Sequence, residues 1–122
     1  MTLVDTAVWI DHFRASVPEL VRRLGHGEVA CHPFVIGELA LGHLRHREEA
    51  VQLLAELPTV QMAAHGEVLR FVAAHRLAGA GIGWIDAHLL CAAASAEVSL
   101  WTRDRALRRQ AARLGLLVEG GV

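Results

Sequence analysis

Four short apolar runs, "TLV" (2–4), "EVAC" (28–31), "VSLWT" (98–102) and "LLVEG" (116–120), are set apart by longer stretches with helical patterning. Their apolar residues are continuous rather than alternating, the pattern of strands buried on both faces. With "PTVQM" (58–62) they predict about five short strands. Short buried strands alternating with helices form a parallel sheet covered on both faces, so the fold class is α/β in three layers. A chain of 122 residues suffices for one domain with a real core, and residues 1–122 read as a single unit.

The helices between these strands have legible ends. Thr6 opens an amphipathic helix that runs through Arg14, and "VPELVRRLGHG" (17–27) is a second, closed by Gly25 or Gly27. Pro33 starts a long helix, "PFVIGELALGHLRH", with a further helical stretch through Leu57. "GEVLRFVAAHRLAG" (66–79) is a helix with a glycine stop. The turn "GAGIG" precedes a helix carrying Asp86, and "DRALRRQAARLG" (104–115) is the last.

Composition narrows the function classes. The chain is 53% hydrophobic with a mean hydropathy of +0.34, yet no run approaches the ~18 uncharged apolar residues of a membrane span. The start "MTLVDTAVWIDHF" lacks a basic stretch and a cleavage signature, so a cytoplasmic location is expected. Cys31 and Cys91 lie in apolar segments and read as reduced core thiols. A net charge of −1 does not announce a nucleic-acid protein, but its distribution says more. All twelve basic residues are Arg, and "TRDRALRRQAAR" holds Arg103, Arg105, Arg108, Arg109 and Arg113. Arg forms fork-shaped bonds to phosphate oxygens, so Arg103, Arg105, Arg108 and Arg109 are candidate phosphate contacts, or else a solvated helix face. The eight histidines show no metal-ligand spacing and read mostly as surface or boundary residues.

Asp86 poses the sharper question. It stands at the start of "IDAHLLCAAASA", an apolar helix, where an acid serves as a cap or as part of something larger. In an open parallel sheet, ligands bind outside the carboxyl ends of the strands, where strand order switches. Asp5 follows "TLV", and Asp104 follows "VSLWT" with Thr102 beside it. Glu38 is near the start of the helix after "EVAC", and Asp86 begins the helix before "VSLWT". Four segments thus aim acids at one end of the sheet. Clustered carboxylates repel, and a divalent cation such as Mg²⁺ or Mn²⁺, which favours oxygen ligands and phosphate, would neutralise them. Thr102 either hydrogen-bonds a carboxylate or water, or is simply a β-branched strand residue.

"LVDTAVWIDHFR", "VIGELALG", "IGWIDAHLLCAAA" and "LWTRDRAL" together resemble the four acidic signatures of PIN-domain ribonucleases, most closely the VapC toxins of bacterial toxin–antitoxin pairs. The resemblance spans nearly the whole chain, in order. It implies that Asp5, Glu38, Asp86 and Asp104 bind the metal, that Thr102 supports them, and that Mg²⁺ or Mn²⁺ drives endonucleolytic cleavage of RNA. It also implies a homodimer and a small VapB-type antitoxin, with DNA reached only through that antitoxin. Two positions depart from the family pattern. Ala7 stands where a hydroxyl residue is common, which places one outer hydrogen bond in doubt, and Leu107 replaces a common aromatic.

The remaining singled-out residues have plainer readings. Asp11 is a surface acid or an (i, i+3) partner of Arg14, and Glu97 is solvated. Trp101 lies in a strand and is core or dimer packing, whereas Trp9 and Trp84 either stack on bases or pack. Trp9 and Trp84 near the crevice also suggest an apolar groove for an antitoxin segment, from which, by the resemblance, a basic side chain would enter the acids. Competing enzymes are a metal-dependent DNA nuclease or phosphohydrolase; a phosphatase with an aspartyl nucleophile would want a second Asp where Ala7 stands. A non-catalytic RNA-binding module is the remaining alternative, since a receiver-like module needs a Lys and the chain has none.

Overall fold

The computed structural model describes residues 1–121. Strand β1 (Thr2–Val4) leads into helices α1 (Thr6–Arg14) and α2 (Pro18–Gly25), followed by β2 (Val29–Ala30). Helices α3 (Pro33–Leu41), α4 (Arg47–Ala55), α5 (His65–Ala74) and α6 (Trp84–Ala96) lead to β3 (Ser99–Trp101) and α7 (Arg105–Arg113). The strands form one parallel sheet in the order β2-β1-β3.

Three strands make up this sheet, not the five or so expected. Where the other two were placed, single parallel bridges form instead, Cys31 with Thr59 on one edge and Leu100 with Leu117 on the other. Local chemistry explains the shortfall. Pro33 starts α3 two residues after Cys31, and Pro58 precedes Thr59, so neither side of that ladder has room to extend. The pairing at Leu117 soon runs into Gly120, which takes φ +75°. The long helix expected from Pro33 is also divided. Gly42 closes α3 in an extended conformation, His46 turns the chain through a left-handed conformation, and α4 packs back on α3.

The sheet runs outward from its middle strand. The crossover after β1 goes to β2 on one side, and the chain then returns to place β3 on the other. The reversal falls between β1 and β3, so their carboxyl ends flank the switch point. Burial is complete across β1, as covering on both faces demands. Trp9 and Trp101 are the largest fully buried side chains, packed with Leu3, Leu20, Leu89, Leu90 and Leu100. Helix α6 is buried without interruption from Ala87 to Ala93, which explains its run of alanines and apolar residues. Cys31 and Cys91 are buried free thiols, and burial raises Cys31 to about 11. Among the described residues no helix is long and apolar enough to cross a membrane.

Candidate active site

Asp5 follows directly on β1 and caps α1: its Oδ1 accepts the Thr6 N–H at 2.8 Å. Its Oδ2 accepts the Thr102 hydroxyl at 2.7 Å, and its own N–H donates to the Trp101 carbonyl at 2.9 Å. Thr102 is fully buried, and its Oγ1 also accepts the Asp104 N–H at 3.1 Å. A continuous chain of donors thus runs from Asp104 through Thr102 to Asp5, tying the ends of β3 and β1 together at the switch point. Asp104 caps α7 by accepting the Leu107 N–H at 2.8 Å.

The other two acids come from helices. Glu38, exposed, lies in the second half of α3 rather than near its start, because α3 ends early at Leu41, and it accepts the Thr6 hydroxyl at 2.7 Å. Asp86 is the third residue of α6, and its Oδ2 accepts the Gly83 N–H at 3.0 Å, closing the helix start as a capping-box acid does. Charge also links it to the rest. Burial raises the Asp5 carboxyl above its usual range; Thr102 and Thr6 pull it back, and the charges of Glu38 and Asp104 push it up again. Burial likewise raises Asp86, opposed by the Gly83 N–H and reinforced by Asp5 and Asp104. All four acids therefore share one electrostatic neighbourhood. Among the described residues, however, no three His, Cys, Asp or Glu side chains are arranged to hold a metal ion as they stand.

A family model of the PIN domain matches residues 2–113, a span that includes all four acids and Thr102. The chain belongs to the PIN-domain family. This PIN domain is 47% identical over 117 residues to Ribonuclease VapC32 of Mycobacterium tuberculosis, in strains CDC 1551 / Oshkosh and ATCC 25618 / H37Rv alike. The match covers 95% of this chain and 94% of the relative. The crystal structure of PAE2754 from Pyrobaculum aerophilum superposes with a TM-score of 0.59 at 18% identity, over 99% of this chain and 87% of that one. At that identity the likeness concerns the fold alone. PIN-domain ribonucleases are generally dependent on a divalent metal. The donors here fit such an ion in kind: they are carboxylate oxygens, and Asp86, Asp104 and Glu38 each engage only one oxygen in the hydrogen bonds above.

Several sequence expectations change in the PIN domain. Trp9 is fully buried with its ring stacked on Phe13 at 5.8 Å, so it offers no face to a base or to an antitoxin groove. Trp9→Ala is expected to cost about 3–5 kcal/mol of stability by opening a cavity, read from urea midpoints. A variant that stays fully stable and only binds RNA less well would contradict that placement. Trp101 is core, as its strand position implied. Asp11 pairs with Arg103 across the fold rather than with Arg14. Arg103 is therefore held by an acid, and Arg108 donates to the Thr102 carbonyl at 3.3 Å. Arg105 and Arg109 are exposed on α7.

Sequence reasoning passed over Thr6. Ala7 lacks the hydroxyl common at its position, yet the residue before it orients Glu38 from the first turn of α1. The signal was available, a hydroxyl directly after a capping acid, but its partner lies 32 residues away. Also missed were His32 and His88, both buried, with His32 Nε2 and His88 Nδ1 lacking a hydrogen-bond partner among the described residues.

Proposed function

We propose that this PIN domain is a metal-dependent RNA endonuclease, the toxin of a toxin–antitoxin pair, cutting phosphodiester bonds in tRNA, rRNA or mRNA. The observation that carries the reading is Asp5 at the switch point, fixed by Thr102 from β3 and coupled by charge to Glu38, Asp86 and Asp104. The resemblance to Ribonuclease VapC32 over nearly the whole of both chains supports it. Asp5, Glu38, Asp86 and Asp104 would hold Mg²⁺ or Mn²⁺. When bound, such an ion supplies a Lewis acid for a phosphate oxygen and a lower pKa for the attacking water.

The chain's own residues do the positioning. Thr102 and the Thr6 N–H fix both Asp5 oxygens, and the Thr6 hydroxyl orients Glu38. Arg105 and Arg109, exposed beyond Asp104, neutralise phosphates of the incoming strand, with Arg103 and Arg108 at the strand end. Residues 1–122 act as one unit in the cytoplasm, as a homodimer restrained by a VapB-like antitoxin. The test is cleavage of total cellular RNA by purified protein in Mg²⁺ or Mn²⁺, with chelator and matched DNA as controls. Metal-dependent RNA fragments with defined ends are expected; intact RNA under all conditions would overturn the reading.

Asp86 gives a finer check. Asn at this position keeps an oxygen to accept the Gly83 N–H, so capping survives while the charge is lost. Relief of repulsion is expected to stabilise the metal-free protein by about 1 kcal/mol after screening. The thermal shift from added Mg²⁺ or Mn²⁺ should shrink, since that shift measures binding to the folded state. Unchanged melting with chelator and an undiminished metal shift would leave Asp86 a cap alone.

A further inference from the structure

Trp84 stands at the surface, 40% exposed, whereas the other two tryptophans are fully buried. It is the first residue of α6, with the His88 ring edge-on at 5.0 Å and the His65 ring tilted at 5.0 Å. Beside it opens a cavity of about 230 Å³ walled by Val72, Leu77, Ile82 and Ala87. Gly79 and Gly83 line it too, and in the turn between them Gly79 and Gly81 adopt φ values of +73° and +81° that side-chain-bearing residues avoid. A Cβ at Gly81 would lie 3.6 Å from the Ala106 side chain, so this turn rests on the first turn of α7, next to exposed Arg105. Gly83 also lines the cavity, and it donates its N–H to Asp86 of the acid cluster.

We propose that this cavity takes a single unpaired nucleobase of the RNA, stacked on the Trp84 indole, beside the bond that is cut. The proposal rests on the ribonuclease reading and adds a base-binding subsite to it. The occupant follows from three features. The cavity is smaller than the ~300–1,000 Å³ of most small-molecule pockets, so it suits one small planar group. Its walls are apolar and aromatic, which suits the face of a base rather than a phosphate or an ion. Its two neighbours are an arginine-bearing helix start and the acid cluster, so the group it holds must be joined to phosphates. An unpaired nucleotide meets all three conditions. A protein segment, from an antitoxin or a second copy, would have no need of a slot this small between those two charged features.

The test uses the three tryptophans as they are. Titration with free adenosine, guanosine, cytidine and uridine, which carry no phosphate, should quench tryptophan emission saturably for at least one base. Trp84→Phe should abolish that quenching, because the buried indoles remain out of reach. Ala87→Leu, which fills the cavity, should abolish it as well. Anisotropy with a labelled single-stranded oligonucleotide should show binding weakened about tenfold by Trp84→Ala and largely restored by Trp84→Phe. Quenching by no nucleoside, or equal oligonucleotide affinity in wild type and Trp84→Ala, would overturn the subsite. So would a Trp84→Ala variant that changes only self-association, which would give this face to a second copy. Trp84-dependent oligonucleotide binding without RNA cleavage would keep the subsite and remove the nuclease reading. Cleavage with Trp84-independent binding would do the reverse.

Discussion

Asp5→Asn is expected to lower RNA cleavage by more than about 100-fold while making the metal-free protein more stable. The loss follows from position. Partners that merely orient metal ligands already cost 10–100-fold when removed, and Asp5 is held on both oxygens, by Thr6 and Thr102. The gain follows from charge. Asp5 is about nine-tenths buried, and Glu38 and Asp104 repel its carboxylate. Asn retains an oxygen for the Thr6 N–H and removes both the buried charge and the repulsion. A gain of about 1–2 kcal/mol is expected from chelated urea titrations, discounted from full burial for hydrogen-bond rearrangement at Thr102. Activity lost together with stability would make Asp5 a structural residue. Activity retained would remove it from the site.

His32 is expected to make the protein acid-sensitive. It caps α3 with Nδ1 accepting the Phe34 N–H at 2.9 Å, so that nitrogen must stay unprotonated, and Nε2 is buried without a partner among the described residues. Burial first, and then His88, lower its pKa from 6.5 to about 4. Between those two values the unfolded chain binds a proton that the folded chain does not, so stability falls as pH drops from about 6.5 and levels off below about 4. From pH 7 to pH 5 the loss amounts to about 2 kcal/mol from this residue. The raised carboxyls of Asp5 and Asp86 work the other way: they take up protons more readily when folded, which favours the folded state toward the acid end. His32→Asn isolates the histidine, since Asn caps well and does not titrate in this range. Its urea midpoint is expected to vary less between pH 7 and pH 5 than that of the wild type. Equal slopes would show that His32 charges freely in the folded state.

The two residues contrast in how far the sequence revealed them. Asp5 was legible because a strand end followed by an acid is a local pattern, and the sheet rule converts strand ends into a common place. Asp104 and Thr102 were legible for the same reason. The bounds of β1 and α1 were equally local, set by an apolar triplet and a capping acid, and the structure places them where the residues imply. His32 offered no such pattern. A histidine before a proline gives no sign that its ring will be buried, because burial depends on helices α3 and α6 meeting over it.

The sequence by itself determined which residue types are present and where chain segments begin and end: parallel strands, capped helices, three acids at helix starts and a fourth, Glu38, within α3. These depend on neighbours within a few positions, through caps, proline and glycine, and apolar runs. Pro33, Pro58 and Gly120 limit Thr59 and Leu117 to a single bridge each, but only the tertiary structure decided that those bridges form. It also decided that Trp9 is core while Trp84 is exposed, although both precede an Ile–Asp pair. It brought Thr6 to Glu38 and Asp11 to Arg103, the latter pair 92 residues apart. Those outcomes turn on which helix packs on which, a global balance of burial that no local window contains.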